Sequence, residues 1–350
     1  MSRYLSRRFD GLEEYIPGEQ PQDRTYIKLN TNESPYPPSP GVLAAVNTAE
    51  VARLNLYSDP DARILTQALA AQYGVEPEHV FLSNGSDDIL NFCFLAFCDG
   101  GAMFPEVTYG FYPVYAALHG VAYETPPLRP DLSIDPADYC SAGRTVVLAN
   151  PNAQTGLALP LSDIERIVQS NPDHVMVIDE AYVDFGAESA VELTRQYDNL
   201  LVVQTFSKSR SLAGARLGFA IGPAALIADL NRLKFSTNPY NLNRLTQLAG
   251  AAALAEQAYY DENCRRIRET RARTRQALLD LGFTCTDSRA NFLLASSPAI
   301  PGGELYRRLK DRGVLVRHFT DPKIENHVRI TIGAPDEMEA LLAAVRAILG

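Results

Sequence analysis

The segment LLVVQTFSKSRSLAGAR (residues 200–216) decides the fold prediction, because it joins an apolar run to a polar stretch that contains Lys208. The run at 200–205 is short and rich in β-branched residues, which predicts a buried strand. In an open α/β sheet, ligands bind at the carboxyl ends of the strands. Lys208 therefore lies where a desolvated amine can act as a nucleophile.

Polar residues follow other predicted strands at the same position. Strand 175–179 ends in Asp179-Glu180-Ala181-Tyr182, which places a carboxylate and a phenol at the edge of the sheet. An earlier strand is followed by the polar turn 150–156, and the first strand by Asn84-Gly85-Ser86-Asp87, which begins a helix. Each feature alone is typical of an ordinary cap or turn. Four of them at one edge indicate a ligand site.

Short apolar runs alternate with segments of helical period between residues 80 and 222. This alternation predicts βαβ units and a mostly parallel sheet. The connections are long enough for helices such as 87–98 and 161–170, which would cover both faces. The predicted architecture is a three-layer α/β domain with a mostly parallel sheet of seven strands. The predicted strands are residues 80–83, 102–104, 121–125, 145–149, 175–179, 200–205 and 217–221.

The pattern changes after Pro239, which predicts a second, smaller α+β domain. It comprises a long helical stretch at 242–281 and a shorter helix at 303–312. The predicted strands of this domain are residues 291–295, 314–317 and 327–332. We therefore predict three parts. They are an N-terminal arm at 1–28 that joins the small domain, a large domain at 29–238 and a small domain at 239–350.

Composition excludes several classes of function. The net charge of −10 and the pI near 5.1 disfavour nucleic-acid binding, which depends on clustered Lys and Arg. The five Cys contain no Cys-x-x-Cys pair and the five His show no ligand spacing, so no metal site is predicted. The sequence has no apolar run of membrane-spanning length and no Gly-rich nucleotide loop. We expect a cytoplasmic protein with no membrane partner.

Several motifs resemble those of fold-type-I aminotransferases, which depend on pyridoxal phosphate. They are Asp179-Glu180-Ala181-Tyr182, Ser207-Lys208 followed by Arg216, and Asn152 ahead of Thr155-Gly156. Three further segments resemble the histidinol-phosphate aminotransferases in particular. These segments read LNTNESP (29–35), PEVTYG (105–110) and RITIG (329–333). The resemblance covers nearly the whole chain.

The resemblance implies catalytic roles around a pyridoxal-phosphate ring. Lys208 would form the Schiff base and then transfer the proton between the substrate Cα and the cofactor. Asp179 would keep a proton on the ring nitrogen, which stabilises a carbanion at Cα. Tyr182 and Asn152 would bind the phenolic oxygen of the ring, and Tyr109 would stack on its face.

The resemblance also implies how the cofactor phosphate is held. The backbone N–H groups of Ser86 and Asp87 at a helix N-terminus would bind it. Ser207 and Arg216 would complete the contact. Tyr57 matches a family tyrosine that reaches the phosphate of the neighbouring subunit, so the resemblance implies a homodimer, in which the N-terminal arm would also make contacts.

Substrate recognition is assigned by the same resemblance. Arg329 matches the family arginine that binds the α-carboxylate, since a planar guanidinium can donate two parallel hydrogen bonds to a carboxylate. Arg317 and Tyr15 match positions near the distal phosphate of histidinol phosphate, and Asn30 joins the same substrate set. For Arg317, a surface arginine at a strand end remains an equal alternative.

One turn departs from the family pattern. The family commonly has Pro-Asn-Asn-Pro-Thr-Gly, whereas Ala153 and Gln154 stand here in the second Asn and second Pro places. An ungapped match would put the ring-oxygen Asn at Ala153. We nevertheless assign that role to Asn152.

The resemblance predicts transfer of the amino group of L-histidinol phosphate to 2-oxoglutarate, giving imidazole acetol phosphate and L-glutamate in histidine biosynthesis. Two rival enzymes share the fold and the cofactor contacts, an aromatic amino-acid aminotransferase and a decarboxylase like threonine-phosphate decarboxylase. A cofactor-binding regulator fused to a DNA-binding domain would need additional chain, since the fold uses all 350 residues.

Overall fold

The computed structural model describes residues 5–9 and 11–350, so residues 1–4 and 10 of the predicted arm lie outside the described part. The strands are β1 (Ile27–Lys28), β2 (Val80–Ser83), β3 (Ala102–Met103), β4 (Tyr123–Glu124), β5 (Thr145–Ala149), β6 (Met176–Asp179), β7 (Leu200–Thr205), β8 (Gly218–Ile221), β9 (Thr284–Cys285), β10 (Phe292–Ser296), β11 (Val314–Leu315), β12 (Arg317–His318) and β13 (His327–Thr331).

Helices separate most of these strands, as the sequence pattern predicts. The α-helices are α1 (Pro40–Ala45), α2 (Thr48–Val51), α3 (Arg63–Tyr73), α4 (Ser86–Phe97), α5 (Phe111–His119), α6 (Leu161–Ser170), α7 (Ala224–Thr237), α8 (Arg244–Ala255), α9 (Gln257–Asp280), α10 (Gly302–Asp311) and α11 (Pro335–Leu349). Short 3-10 helices lie at Arg7–Phe9, Pro77–His79, Pro136–Tyr139, Val183–Phe185, Val191–Arg195 and Ala213–Ala215.

The central sheet has seven strands in the order β2-β8-β7-β6-β5-β3-β4. Strand β8 is antiparallel to both neighbours, and the other pairings are parallel. Side chains alternate between the faces, because successive residues of a strand point in opposite directions. Val147 and Val177 pack in one apolar cluster, and Val146 and Ile178 pack in the other. The predicted three-layer α/β architecture is confirmed.

A second, antiparallel sheet has the order β12-β13-β10-β9, and β1 pairs in parallel with β11. Strand β1 thereby attaches the N-terminal segment to the C-terminal part of the chain. The smaller α+β unit predicted from the sequence is present.

Two predicted elements of this unit are divided in the structure. The helical stretch 242–281 forms α8 and α9, because Glu256 leaves helical geometry at ψ 42°. Its carboxylate accepts a hydrogen bond of 2.7 Å from the N–H of Gly41, a long-range contact that the helical period does not reveal. The strand predicted at 314–317 forms two strands, since β11 pairs with β1 and β12 pairs with β13.

Candidate active site

A cavity of about 330 Å³ lies at the carboxyl ends of β2, β6 and β7. Parallel strands bring residues distant in sequence to this edge. The residues predicted for the site that line the cavity are Ser86, Asp87, Tyr109, Asp179, Tyr182, Ser207, Lys208 and Arg216.

Lys208 follows β7 and projects its amine towards this cavity. Its Nζ lies 3.3 Å from the carbonyl oxygen of Thr31 and 5.8 Å from the ring centroid of Tyr182. Among the described residues, no carboxylate oxygen lies within 4.0 Å of this Nζ. The amine therefore has no direct counter-ion that would hold it away from an electrophile.

Asp179 ends β6 and is 4% exposed. The hydroxyl of Tyr112 donates to its Oδ2 at 2.9 Å, and the N–H of Ala181 donates to its Oδ1 at 3.2 Å. Burial raises the pKa of Asp179 from 3.8 to about 6, although these two hydrogen bonds lower it. At neutral pH the buried carboxylate is ionised, and a cationic ring nitrogen would fit beside it.

The first turn of α4 provides an anion site. The helix begins at Ser86, so its first N–H groups have no partners within the helix. Gly85 has φ +90°, and a Cβ there would lie 2.6 Å from Nη2 of Arg216. Glycine is thus required for the guanidinium to approach the helix N-terminus. Ser207 lies beside it, and its Oγ accepts a hydrogen bond of 3.0 Å from Thr205.

Asp87 contributes its side chain as well as its backbone. Its carboxylate accepts hydrogen bonds from the hydroxyl of Tyr109 at 2.6 Å and from Nη2 of Arg216 at 2.8 Å. One carboxylate thus orients the aromatic ring and the guanidinium. Together with Asp179 at the other end, this cradle fits a phosphorylated pyridine aldehyde.

Tyr182 is supported by an asparagine that we did not predict. Asn32 Nδ2 donates to the Tyr182 hydroxyl at 3.0 Å, and Asn32 Oδ1 accepts from Oγ1 of Thr331 at 2.9 Å. Asn32 lies within the LNTNESP motif, at φ +55°. The motif indicated the segment, but the prediction named Asn30 instead.

The structure places Asn30 and Asn152 outside the cavity lining. Asn30 is 1% exposed, and its Nδ2 donates to the carbonyl of Glu19 at 2.9 Å, so it holds the N-terminal arm. Asn152 is 2% exposed, and its amide binds Val107 and the backbone of its own turn. Ala153 lines the cavity instead. This geometry argues against Asn30 as a substrate ligand and against Asn152 as the donor to the ring oxygen.

Arg329 and Arg317 lie on neighbouring strands of the small sheet. Arg317 lines a second cavity, whereas Arg329 lines neither cavity and lies behind Ala153 and Gln154, which do. Arg329 Nη1 donates to the carbonyl of Ala153 at 2.8 Å and to Oε1 of Gln154 at 3.0 Å. Arg317 donates to the carbonyls of Ile16 and Pro17 at 2.9 and 3.0 Å. Both guanidiniums retain N–H groups beyond these bonds, since each has five.

A second cavity, of about 460 Å³, adjoins the first. Tyr15, Gln154 and Arg317 line it. The Tyr15 ring stacks on Phe111 with centroids 4.0 Å apart and lies 6.3 Å from the ring of Tyr109, which lines the first cavity. Two adjoining cavities with cationic residues near both can accommodate a ligand that has two separated charged groups.

Tyr57 does not line the cavity of its own chain. Its side chain is 80% exposed and stacks on Tyr240 with ring centroids 4.4 Å apart.

The family model of aminotransferases of class I and II matches residues 24–345. The chain belongs to the class I and II aminotransferase family. Known aminotransferases resemble it along its whole length. It is 50% identical to a histidinol-phosphate aminotransferase 1 of Burkholderia pseudomallei, covering 100% of this chain and 99% of the relative. It is 48% identical to a histidinol-phosphate aminotransferase 2 of Dechloromonas aromatica, covering 100% of both.

Solved structures of aminotransferases have the same fold. A structure of a putative histidinol-phosphate aminotransferase from Erwinia carotovora atroseptica is 27% identical and superposes with a TM-score of 0.86. That match covers 92% of this chain and 96% of the other. The family resemblance inferred from the motifs is confirmed.

Within residues 5–9 and 11–350, no helix combines the length and the apolar character that crossing a membrane requires. The same residues contain no group of three or more His, Cys, Asp or Glu side chains placed to hold a metal ion.

The sequence analysis assigned no role to Asn32, Tyr112 and Gln154. Their side chains contact the predicted site residues Tyr182, Asp179 and Arg329, respectively. Tyr112 lies three residues after Tyr109, but Tyr109 precedes α5, so helical spacing does not relate the two side chains. No local signal indicated that its hydroxyl would reach Asp179. These contacts depend on tertiary packing and not on motif spacing.

Proposed function

We propose that this chain is a pyridoxal-phosphate-dependent aminotransferase that uses L-histidinol phosphate and 2-oxoglutarate. The products would be imidazole acetol phosphate and L-glutamate. Relatives that bear the name histidinol-phosphate aminotransferase are about half identical over the full length. The observation that carries the proposal is the meeting of Lys208, Asp179 and the N-terminus of α4 in one cavity.

The side chains of the cavity would divide the catalytic work. When bound, pyridoxal phosphate supplies a carbonyl carbon for an amine and a ring that withdraws electrons from the substrate Cα. Nζ of Lys208 would bind that carbonyl carbon at rest and, once displaced, accept the proton of Cα and donate it to the former carbonyl carbon. Asp179 would hold a proton at the ring nitrogen. The Tyr182 hydroxyl, oriented by Asn32, would donate to the phenolic oxygen of the ring.

The phosphate would rest on the N-terminus of α4. Its contacts would be the N–H groups of Ser86 and Asp87, the hydroxyl of Ser207 and the guanidinium of Arg216. Arg216 now shares its charge with Asp87 through a contact that is partly exposed. An exposed ion pair of this kind contributes little to stability. Arg216 can therefore leave Asp87 and bind the phosphate at a small cost in free energy.

The two arginines of the small sheet, Arg317 and Arg329, would bind different groups of the two substrates. Glutamate has an α-carboxylate, whereas histidinol phosphate has none. Arg329 would take the α-carboxylate of glutamate. Arg317 and Tyr15 would take either the phosphate of histidinol phosphate or the side-chain carboxylate of glutamate.

Arg317→Ala is expected to reduce kcat/KM for histidinol phosphate about ten- to a hundredfold, because one charge-assisted contact is lost. Steady-state rates with saturating 2-oxoglutarate measure the effect. Phenylalanine carries no distal anion, so its kcat/KM should change by less than about threefold. That change is well below the effect of losing one charge-assisted contact. Arg312→Ala, an exposed site at the end of α10, is the matched control. Equal losses for the two substrates would contradict the assignment of Arg317.

An amino-donor screen with 2-oxoglutarate tests the proposed function. Glutamate should form fastest from histidinol phosphate, and no carbon dioxide should be released. Faster reaction of phenylalanine or tyrosine would favour the aromatic aminotransferase. Release of carbon dioxide from threonine phosphate would favour the decarboxylase.

A homodimer is part of the proposal. The segment 43–64 exposes apolar side chains that a partner subunit would cover. They are Leu43, Val46, Val51, Leu54, Leu56, Tyr57 and Ile64. Closed two-fold dimers are also the commonest oligomers. In such a dimer, the exposed Tyr57 would reach the phosphate site of the partner subunit.

Tyr57→Phe is expected to weaken cofactor binding about ten- to a hundredfold, because a hydroxyl contact to a charged acceptor contributes about 1.5–3 kcal/mol. Equilibrium dialysis of the cofactor measures the change. Tyr123→Phe, an exposed tyrosine of β4, serves as control. Sedimentation that finds a fully active monomer at micromolar concentration would contradict the shared site.

We also propose a division into arm, large domain and small domain close to the predicted one. Helix α8 packs against α1 and α3, which precede the central sheet. This packing favours a boundary after α8 instead of at residue 238.

A further inference from the structure

We infer that Gln154 is a positioning residue that sets the orientation of Arg329 for the α-carboxylate of the amino acid. The inference rests on the proposed function in one respect, the assignment of Arg329 to the α-carboxylate; it does not depend on which amino donor the enzyme prefers. Gln154 stands where the family commonly has proline, which has no side-chain acceptor.

The surroundings of Arg329 suit an anion. Its guanidinium carbon lies 5.2 Å from the ring centroid of Phe292 and 5.3 Å from that of Phe319. Among the described residues, no carboxylate forms an ion pair with it, and burial lowers the pKa of Arg329. A partly buried cation without a counter-ion has lost hydration that a bound carboxylate would replace.

Contacts with the two rings restrict the plane of the guanidinium, and the turn at 150–156 restricts its rotation within that plane. Both protein hydrogen bonds of Arg329 come from Nη1, to the carbonyl of Ala153 and to Oε1 of Gln154. The Nε of Arg329 is buried without a partner, and Nη2 makes no hydrogen bond to a described residue. These groups remain for a planar carboxylate, which two parallel N–H groups bind well.

Gln154 is itself held in place. Its Nε2 donates to the carbonyl of Thr108 at 3.1 Å, and its backbone N–H donates to Oδ1 of Asn152 at 2.9 Å. The side chain is 9% exposed. Gln154 therefore links the loop before α5 to Arg329 on β13. Without its amide, Arg329 would keep one backbone acceptor, about which the guanidinium can rotate.

The experiment compares ligands that do and do not use Arg329. Calorimetry on the cofactor-loaded enzyme measures the dissociation constant of glutarate, a dicarboxylate that cannot react. Gln154→Met should raise it about tenfold, as expected for a weakened charge-assisted contact. The KM of histidinol phosphate should rise by a clearly smaller factor than the dissociation constant of glutarate, because this donor has no α-carboxylate for Arg329 to hold and Gln154 can affect it only as part of the cavity wall beside Arg317.

Two further variants keep the test decisive. Gln154→Pro introduces the residue common in the family and should weaken glutarate similarly. Gln154→Glu keeps an acceptor but brings a negative charge beside Arg329, so it should weaken glutarate at least as much as Gln154→Met. Gln169→Met, an amide that contacts Tyr197 on the surface, is the control.

Unchanged glutarate binding in Gln154→Met and Gln154→Pro would overturn the inference. So would equal weakening of glutarate and histidinol phosphate, which would indicate a general structural defect. If histidinol phosphate is no substrate, the proposed function fails, while the glutarate titrations still decide the role of Gln154.

Discussion

Lys208→Ala is expected to reduce transamination by at least about 10⁴-fold, because both the covalent attachment of the cofactor and the proton transfer at Cα depend on one amine. Lys208 is the only lysine among the described residues that line the cavity. No second amine can replace it. Single-turnover measurements with histidinol phosphate separate the loss of chemistry from any loss of substrate binding.

Lys208→Arg is the matched variant, because it keeps the positive charge but removes the nucleophilic amine. It should be as inactive as Lys208→Ala. Borohydride reduction of the wild-type enzyme should leave the cofactor on the peptide that contains Lys208, and neither variant should retain it covalently. Turnover of Lys208→Ala at a rate near that of the wild type would refute the mechanism.

Asp179→Asn is expected to reduce kcat about 10²- to 10³-fold, the usual range for the loss of a preorganised electrostatic partner. The amide keeps the size of the side chain, but its single oxygen can accept from Tyr112 or from the N–H of Ala181 and not from both. A loss of this size exceeds that of one neutral hydrogen bond, so it would report mainly the charge of Asp179 beside the ring nitrogen. Cofactor absorbance and kcat at neutral pH are the measurements.

The same substitution should stabilise the cofactor-free protein. The pKa of Asp179 is raised to about 6 in the fold, so folding holds a proton there that the unfolded chain releases near pH 3.8. The free energy of unfolding of the wild type therefore falls by at most about 3 kcal/mol as pH rises from about 4 to 6. Relative to the wild type, cofactor-free Asp179→Asn should therefore gain free energy of unfolding as pH rises from about 4 to above 6, and it should exceed the wild type at pH 7. A lower stability of the variant at pH 7 would contradict this account.

The residues at the carboxyl edge of the sheet could be predicted from the sequence, because the end of each strand is visible as the point where an apolar run changes to polar residues. Apolar runs ending in Asp179 or Lys208 place those residues at one edge once the sheet is mostly parallel. The Gly85-Ser86 helix start is equally local. Residues at these positions could be named without knowledge of their contacts.

Contacts between distant segments could not be predicted in the same way. The assignments of Asn30 and Asn152 relied on residue type near a motif, whereas the structure uses both amides to hold backbone. Asn32 approaches Tyr182 only because β13 and the segment after β1 meet. Gln154 was recognised as a departure from the family turn, but its partner Arg329 lies 175 residues away.

A competition between amino donors tests the central claim most directly. L-histidinol phosphate labelled with ¹⁵N and unlabelled L-phenylalanine are supplied at equal concentration with limiting 2-oxoglutarate, and mass spectrometry of the glutamate formed gives the ratio of their kcat/KM values. The account predicts that labelled glutamate exceeds unlabelled glutamate by at least about tenfold, the contribution of one charge-assisted contact to the distal phosphate. Glutamate that is mostly unlabelled would contradict it.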